Sequence, residues 1–226
     1  MPANRRRASG RNRSRWALLV AAVVVVVVGG CSEDRPSTRP FPEGDRAAAA
    51  RVANPEATVV DRATRSPTVP GHIYIDAIGV NATVMSLGTE MAPDPFLGGT
   101  QVASFVVPPD LVRVGWWSDG PRLGAPGMAV LLGHSQVGGG YAVFNRLSAL
   151  RDGDSVTVEN ASGTRRVDLA VSRVVPGIAK NDQTALQTVL ADNARTADLA
   201  MITCSGNFDS AVSESSENTA VFARIK

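Results

Sequence analysis

Two segments of this chain end apolar runs with side chains able to do covalent chemistry: Val130-Leu131-Leu132-Gly133-His134 and Met201-Ile202-Thr203-Cys204-Ser205. Cys204 is one of two cysteines and His134 one of two histidines. An apolar run that stops at a reactive side chain anchors its backbone in a core and presents that side chain at the rim. A thiol and an imidazole presented this way are the smallest set for nucleophilic catalysis, the thiolate attacking while the imidazole moves the proton. Taken alone, Cys204 reads more readily as a small buried core residue than as a nucleophile, and His134 as a structural histidine. No set of residues has metal-ligand spacing, and no cofactor is expected.

The elements that must position these groups are strands. His72–Asp76, Val80–Met85 and Val102–Val107 alternate or run apolar between Gly, Pro and Asn breakers. Met128–Leu132 is wholly apolar, as expected of a strand buried on both faces. Ser155–Glu159, Arg166–Val175, Leu199–Thr203 and Thr219–Ile225 complete eight candidates. Helical spacing occurs only in Phe144–Leu150 and in Thr184–Ala194, where Ala185, Leu186, Val189 and Leu190 share one face and Asp182 can cap. Many short strands with one or two short helices predict a mainly β fold closed into a barrel, since closure removes exposed edges. In Trp116-Trp117 the spacing suits one core ring and one surface ring. Gly138-Gly139-Gly140, after the histidine, reads as a permissive turn or as a gating loop.

Charge is segregated along the 226 residues. Six arginines precede Trp16 with no acidic residue among them, whereas residues 71–226 hold 11 Lys+Arg against 15 Asp+Glu, a net of −4. That balance leaves the folded part no electrostatic footprint for nucleic acid. The 15 uncharged residues from Trp16 to Gly30 lie between a signal-peptide core and the length of a spanning helix. Arginines ahead of such a run stay on the cytoplasmic side, so the remainder is expected at the extracytoplasmic face of the membrane. Val28-Gly29-Gly30-Cys31 resembles a lipoprotein cleavage box with Cys31 as the lipidated residue; an uncleaved signal anchor fits equally. Residues 1–31 are therefore expected to be the signal or anchor. Residues 32–70 carry six prolines, six arginines and six acidic residues and are expected to be a disordered linker. The folded domain is expected over 71–226.

Within that domain Ile73-Tyr74-Ile75-Asp76-Ala77-Ile78-Gly79-Val80, Arg113-Val114-Gly115-Trp116-Trp117, Val130–His134 and Ile202-Thr203-Cys204-Ser205-Gly206 follow one another in an order that resembles the sortases, most closely those of high-GC Gram-positive bacteria grouped as class F or class E. The resemblance implies an eight-stranded closed barrel and a cysteine transpeptidase with Cys204 as nucleophile and His134 as proton-transfer partner. It implies as partners surface proteins bearing a C-terminal sorting signal, and as acceptor an amine of a peptidoglycan precursor or a pilin. The acyl group would pass through a Cys204 thioester.

The chain departs from the resemblance at one residue. Sortases carry an arginine a dozen or so positions after the cysteine, and that position here falls on Ser216, in Ser215-Ser216-Glu217-Asn218. A hydroxyl does not replace a bidentate guanidinium. Arg113 and Arg122 are candidates to reach the site from loops, while Arg224 lies too far along the last strand. This leaves open a sortase-fold protein that binds sorting signals or wall peptides with weak turnover or none, and a thiol hydrolase that cleaves without transfer. Ser205 stands where glycine is usual and is expected to narrow the turn after the thiol.

Overall fold

The computed structural model describes residues 66–136 and 140–226. The expectations for Cys31, for the signal or anchor, for most of the linker and for Gly138-Gly139 fall outside those residues. Among the described residues no helix is long and apolar enough to cross a membrane.

Ten strands form: β1 (His72–Ile75), β2 (Val80–Leu87), β3 (Thr89–Asp94), β4 (Thr100–Phe105), β5 (Val114–Trp117), β6 (Ala129–Leu132), β7 (Ser155–Glu159), β8 (Arg166–Ala179), β9 (Leu199–Asp209) and β10 (Glu214–Ile225). Among the described residues one α-helix, α1 (Ala185–Asn193), lies between β8 and β9. Eight strands close into a barrel in the order β1-β2-β5-β6-β9-β10-β8-β7, while β3 and β4 pair as a separate two-stranded sheet. Just before β1, Thr68 exchanges backbone hydrogen bonds with Leu123 at 2.8 and 3.1 Å, tying the chain to the barrel wall.

The closed, eight-stranded mainly β architecture is the one the sequence predicts, but its membership differs. Val102–Val107 enters the β3–β4 hairpin instead of the barrel, because an apolar run does not name its partner. Its place is taken by β5, whose four residues include Gly115 and are too short to show alternation. A Cβ on Gly115 would lie 2.6 Å from Leu87 Cδ1, so a larger residue there would make the Leu87 side chain shift. The predicted helix at Phe144–Leu150 is reduced to a 3-10 turn at Leu147–Ala149. The chain is instead pinned by backbone bonds from Val143 to Leu111 and from Phe144 to His134, so tertiary contacts override the helical spacing.

Because side chains alternate across a strand, the sheet has two apolar faces. Ile73, Ala129, Leu131, Leu199, Met201, Val221 and Ala223 fill the barrel interior. Met128, Val130, Leu132, Ile178, Ala200, Ile202, Ala220 and Phe222 form a second core on the opposite face, with Phe105 and Leu186 packed onto it. Trp116 is buried in the first core; Trp117 is partly buried against the second, edge-on to Phe105 with ring centroids 5.1 Å apart.

The turn that carries His134 is filled to contact. A Cβ on Gly133 would stand 2.5 Å from Phe144 Cδ2 and 2.8 Å from Val143 Cγ1. Both rings and methyls are buried and have little room to yield, so Gly133→Ala is expected to cost about 1–3 kcal/mol, measured as a lower urea midpoint with unchanged slope.

Candidate active site

The two reactive segments meet because β6 and β9 are parallel neighbours. Their register runs from Ala129↔Leu199 to Leu132↔Ile202, a constant offset of 70 residues. The ladder goes on past the end of β6, with Gly133 N donating to the Ile202 carbonyl at 3.1 Å. Thr203 Oγ1 then donates to the Gly133 carbonyl at 2.8 Å, and Ser135 Oγ donates to the Cys204 carbonyl. Carried two places beyond Leu132↔Ile202, the same offset sets His134 level with Cys204. Both continue the rows that form the second core, Val130-Leu132 on β6 and Ala200-Ile202 on β9. The residues predicted from sequence as thiol and imidazole are therefore brought to the same end of adjacent strands.

Both are enclosed, His134 at 8% and Cys204 at 4% exposure. His134 Nε2 lies 2.7 Å from the Pro108 carbonyl oxygen. A carbonyl only accepts, so Nε2 carries the hydrogen and Nδ1 is the nitrogen left to exchange a proton. The strand exit fixes the imidazole's position, and the Pro108 carbonyl fixes its tautomer.

A third group, which sequence reasoning missed, touches the thiol. Lys180 Nζ donates to Cys204 Sγ at 3.4 Å and to Glu214 Oε2 at 3.0 Å. The Lys180 and Glu214 side chains are 1% and 5% exposed. Burial pulls the lysine pKa down, but the negative charges of Cys204 and Glu214 outweigh it and hold the ammonium above its ordinary 10.5. Lys180 reaches this spot because β8 does not stop at Val175. It absorbs one extra residue at Pro176-Gly177, where the register passes from Val175↔Ala220 to Ile178↔Asn218, with Gly177 at φ 71. It then continues to Ala179. A Pro-Gly pair reads as a strand end, yet here it is a bulge. A compositional signal was present: the chain uses arginine throughout and lysine only at positions 180 and 226.

Two of the arginines considered from sequence bond other groups. Arg113 Nε bonds Asp110 at 2.5 Å; desolvation raises the Asp110 carboxyl, but hydrogen bonds from Arg113 and Val112 and the Arg113 charge together hold it below its ordinary range. Arg224 Nε bonds the Thr196 carbonyl. Ser216 faces Lys180 across the β8–β10 ladder, with Lys180 N donating to the Ser216 carbonyl at 3.0 Å. Ser205 does not narrow a turn; β9 runs on through it, opposite Glu217, and the left-handed residue is Gly206, φ 79. Asn218, directly opposite Cys204, is 2% exposed, and its Oδ1 has no hydrogen-bond partner. Among the described residues no cluster of His, Cys, Asp and Glu could hold a metal ion.

The arrangement can hold a thiolate beside an ammonium, and it offers a proton-transfer nitrogen on the neighbouring strand. Burial screens both residues from water. That chemistry suits nucleophilic attack on an acyl carbon.

No curated protein matches the sequence. Solved structures do match in part. A sortase A from Corynebacterium diphtheriae, a lid mutant, is 17% identical, covering 74% of this chain and 73% of its own, with a TM-score of 0.46. A sortase E1 from Streptomyces coelicolor with a tripeptide in its active site is 13% identical, covering 70% of this chain and 88% of its own, at 0.44. A sortase C from Clostridium perfringens is 15% identical, with 70% coverage of each chain, at 0.41. The family model described as the sortase domain matches residues 73–226, the whole barrel with the His134 and Cys204 strands inside it. The chain belongs to the sortase family.

Proposed function

We propose that this protein is a cysteine transpeptidase that cleaves a C-terminal sorting signal and transfers the acyl group to an amine of a peptidoglycan precursor or a pilin. The observation that carries this reading is the parallel β6–β9 ladder, which ends at Leu132↔Ile202, two residues short of His134 and of Cys204, with Ser135 Oγ donating to the Cys204 carbonyl just beyond it. The Cys204 thiol gives its proton to His134 Nδ1, and the resulting thiolate adds to the backbone carbonyl of the signal, forming a carbon–sulfur bond as the carbonyl π pair moves to oxygen. The carbon–nitrogen bond then breaks as His134 Nδ1–H protonates the departing amine. The thioester is resolved when an incoming amine attacks and gives its proton to the same nitrogen, so the enzyme returns to its starting protonation state. A thioester rather than an ester suits this task, because it persists long enough for an amine to compete with water. No cofactor is needed for these steps.

The N-terminal arginines and apolar run support a location at the extracytoplasmic membrane face. Residues 1–31 serve there as anchor or as lipoprotein signal ending at Cys31, and residues 32–70 as a spacer. Ser216 favours a second reading, a sortase-fold protein that binds sorting signals without efficient turnover.

Intact mass of the protein after incubation with a panel of sorting-signal peptides, with and without a glycine amine, separates the readings. An acyl adduct discharged by the amine is the expected result. Discharge by water at an equal rate with and without amine identifies a hydrolase instead. Peptide binding with no adduct selects the binding protein.

A further inference from the structure

Lys180 touches the nucleophile's sulfur, and the family resemblance assigns it no role. We propose that Lys180 is the catalytic cation of this protein, acting from β8 at the place across the ladder from Ser216, where the resemblance expects an arginine on β10.

Three observations on geometry carry this. Lys180 Nζ is 3.4 Å from Cys204 Sγ, inside hydrogen-bonding range for sulfur. The extra residue at Pro176-Gly177 extends β8 to the point where Lys180 N bonds the Ser216 carbonyl, so the two positions are cross-strand neighbours. The ammonium is buried and paired with Glu214 Oε2 at 3.0 Å, which keeps it charged away from water. A lysine at the surface would be hydrated and its field screened; here the side chain is 1% exposed. The cation has thus moved one strand sideways, and a serine occupies the strand it left.

The role follows from where the negative charge goes. Before reaction it sits on sulfur, and the adjacent ammonium favours thiolate over thiol. As the carbon–sulfur bond forms, charge passes to the carbonyl oxygen, two bonds from the sulfur. An ammonium 3.4 Å from the sulfur, on a flexible four-carbon stem, follows that charge with a small torsional change. When the carbon–nitrogen bond breaks the charge leaves the oxygen, and the ammonium returns to its starting contacts. Lysine neither gains nor loses a proton in this cycle. Lys180, just past β8, touches the thiol and holds Glu214 of β10; the nearby titratable groups on the flanking segments are His134 after β6 and Glu217 of β10, which pairs with Ser205. Glu217 lies over Gly206, where an added Cβ would meet its Cγ at 2.9 Å.

The inference deepens the transpeptidase reading and rests on it for the oxyanion step, but the thiolate step is testable without any sorting signal. The test is the pH profile of Cys204 alkylation by iodoacetamide in the wild type, Lys180→Met, Lys180→Arg and Glu214→Gln. Lys180→Met is expected to move the profile to higher pH, slowing alkylation at neutral pH by about tenfold or more, as loss of an opposite charge within ~4–6 Å does. Lys180→Arg is expected to hold it. Glu214→Gln is expected to move it the other way, since a neighbouring negative charge is lost and the ammonium is left to the thiolate. Opposite shifts from two adjacent substitutions report charge; a purely structural role would not give them. Should Lys180→Met fail to fold, the double variant Glu214→Leu with Lys180→Met, which buries no unpaired charge, carries the test, its profile expected at higher pH than that of the wild type. A profile that does not move in the folded variants overturns the proposal. With sorting-signal peptides, Lys180→Met is expected to lower acyl transfer by about 10²–10³-fold and Lys180→Arg to restore part of it. If the wild type forms no adduct while the alkylation shifts appear, the transpeptidase reading fails and the cation assignment stands.

Discussion

Cys204→Ala is expected to abolish the acyl adduct and all amine transfer while leaving the barrel folded and peptide binding intact. The side chain removed is small, so little packing is lost at a site already 4% exposed. The ammonium it contacts keeps its ion pair with Glu214 at 3.0 Å. His134→Ala is expected to lower transfer by about 10²–10⁴-fold, the usual range for a positioned acid–base group. The two losses are not expected to add, because the imidazole has no task once the nucleophile is gone. The measurement is single-turnover adduct formation followed by mass, for each variant and for both together. Adduct formation in His134→Ala at the wild-type rate would mean that His134 acts on something other than this thiol. Circular dichroism on the same samples separates lost chemistry from lost fold.

Glu214→Ala is expected to be the most destabilising single change at the site, costing about 3–5 kcal/mol. The substitution leaves a lysine ammonium buried with no carboxylate, in a place where its side chain is 1% exposed. For a domain of this size that is a fall in melting temperature of about 6–20 °C. The double variant Glu214→Leu with Lys180→Met is expected to recover most of the loss, because the penalty comes from an unpaired buried charge and not from a missing attraction. Thermal melts of the four forms close a double-mutant cycle. The same pair sets an alkaline limit. The folded lysine's pKa is raised above its ordinary 10.5, so the folded state holds its proton more tightly than the unfolded one. Its contribution to stability is complete below the unfolded value. It is lost as pH rises through the folded value. Across neutral and mildly alkaline pH, stability from this group is expected to be flat, with the decline beginning only above about pH 10.

The sequence by itself determined the parts that depend on local pattern. Apolar runs bounded by turn residues marked seven of the eight barrel strands, and the wholly apolar Ala129–Leu132 announced burial on both faces, which the two cores bear out. The likeness of separate short motifs in one order led to the family that residues 73–226 match. The reactive pair stood out because cysteine and histidine are scarce and each ends an apolar run. Pairing was another matter. Nothing in Val102–Val107 says that it will partner β3 instead of the barrel, and nothing in the short β5 says that it will stand between β2 and β6. Partner choice is a sum of long-range contacts and leaves no local period.

Lys180 shows the same limit at the site. Pro176-Gly177 reads as the end of a strand, and only the β8–β10 ladder reveals one extra residue and a strand that goes on. That single bulge decides what sits beside the thiol. Without it, alternation and register would carry the lysine away from Ser216 and from Cys204. Residue type and local period are written in the sequence. Which cation meets which anion across three strands is fixed by register, and register exists only once the sheet has closed.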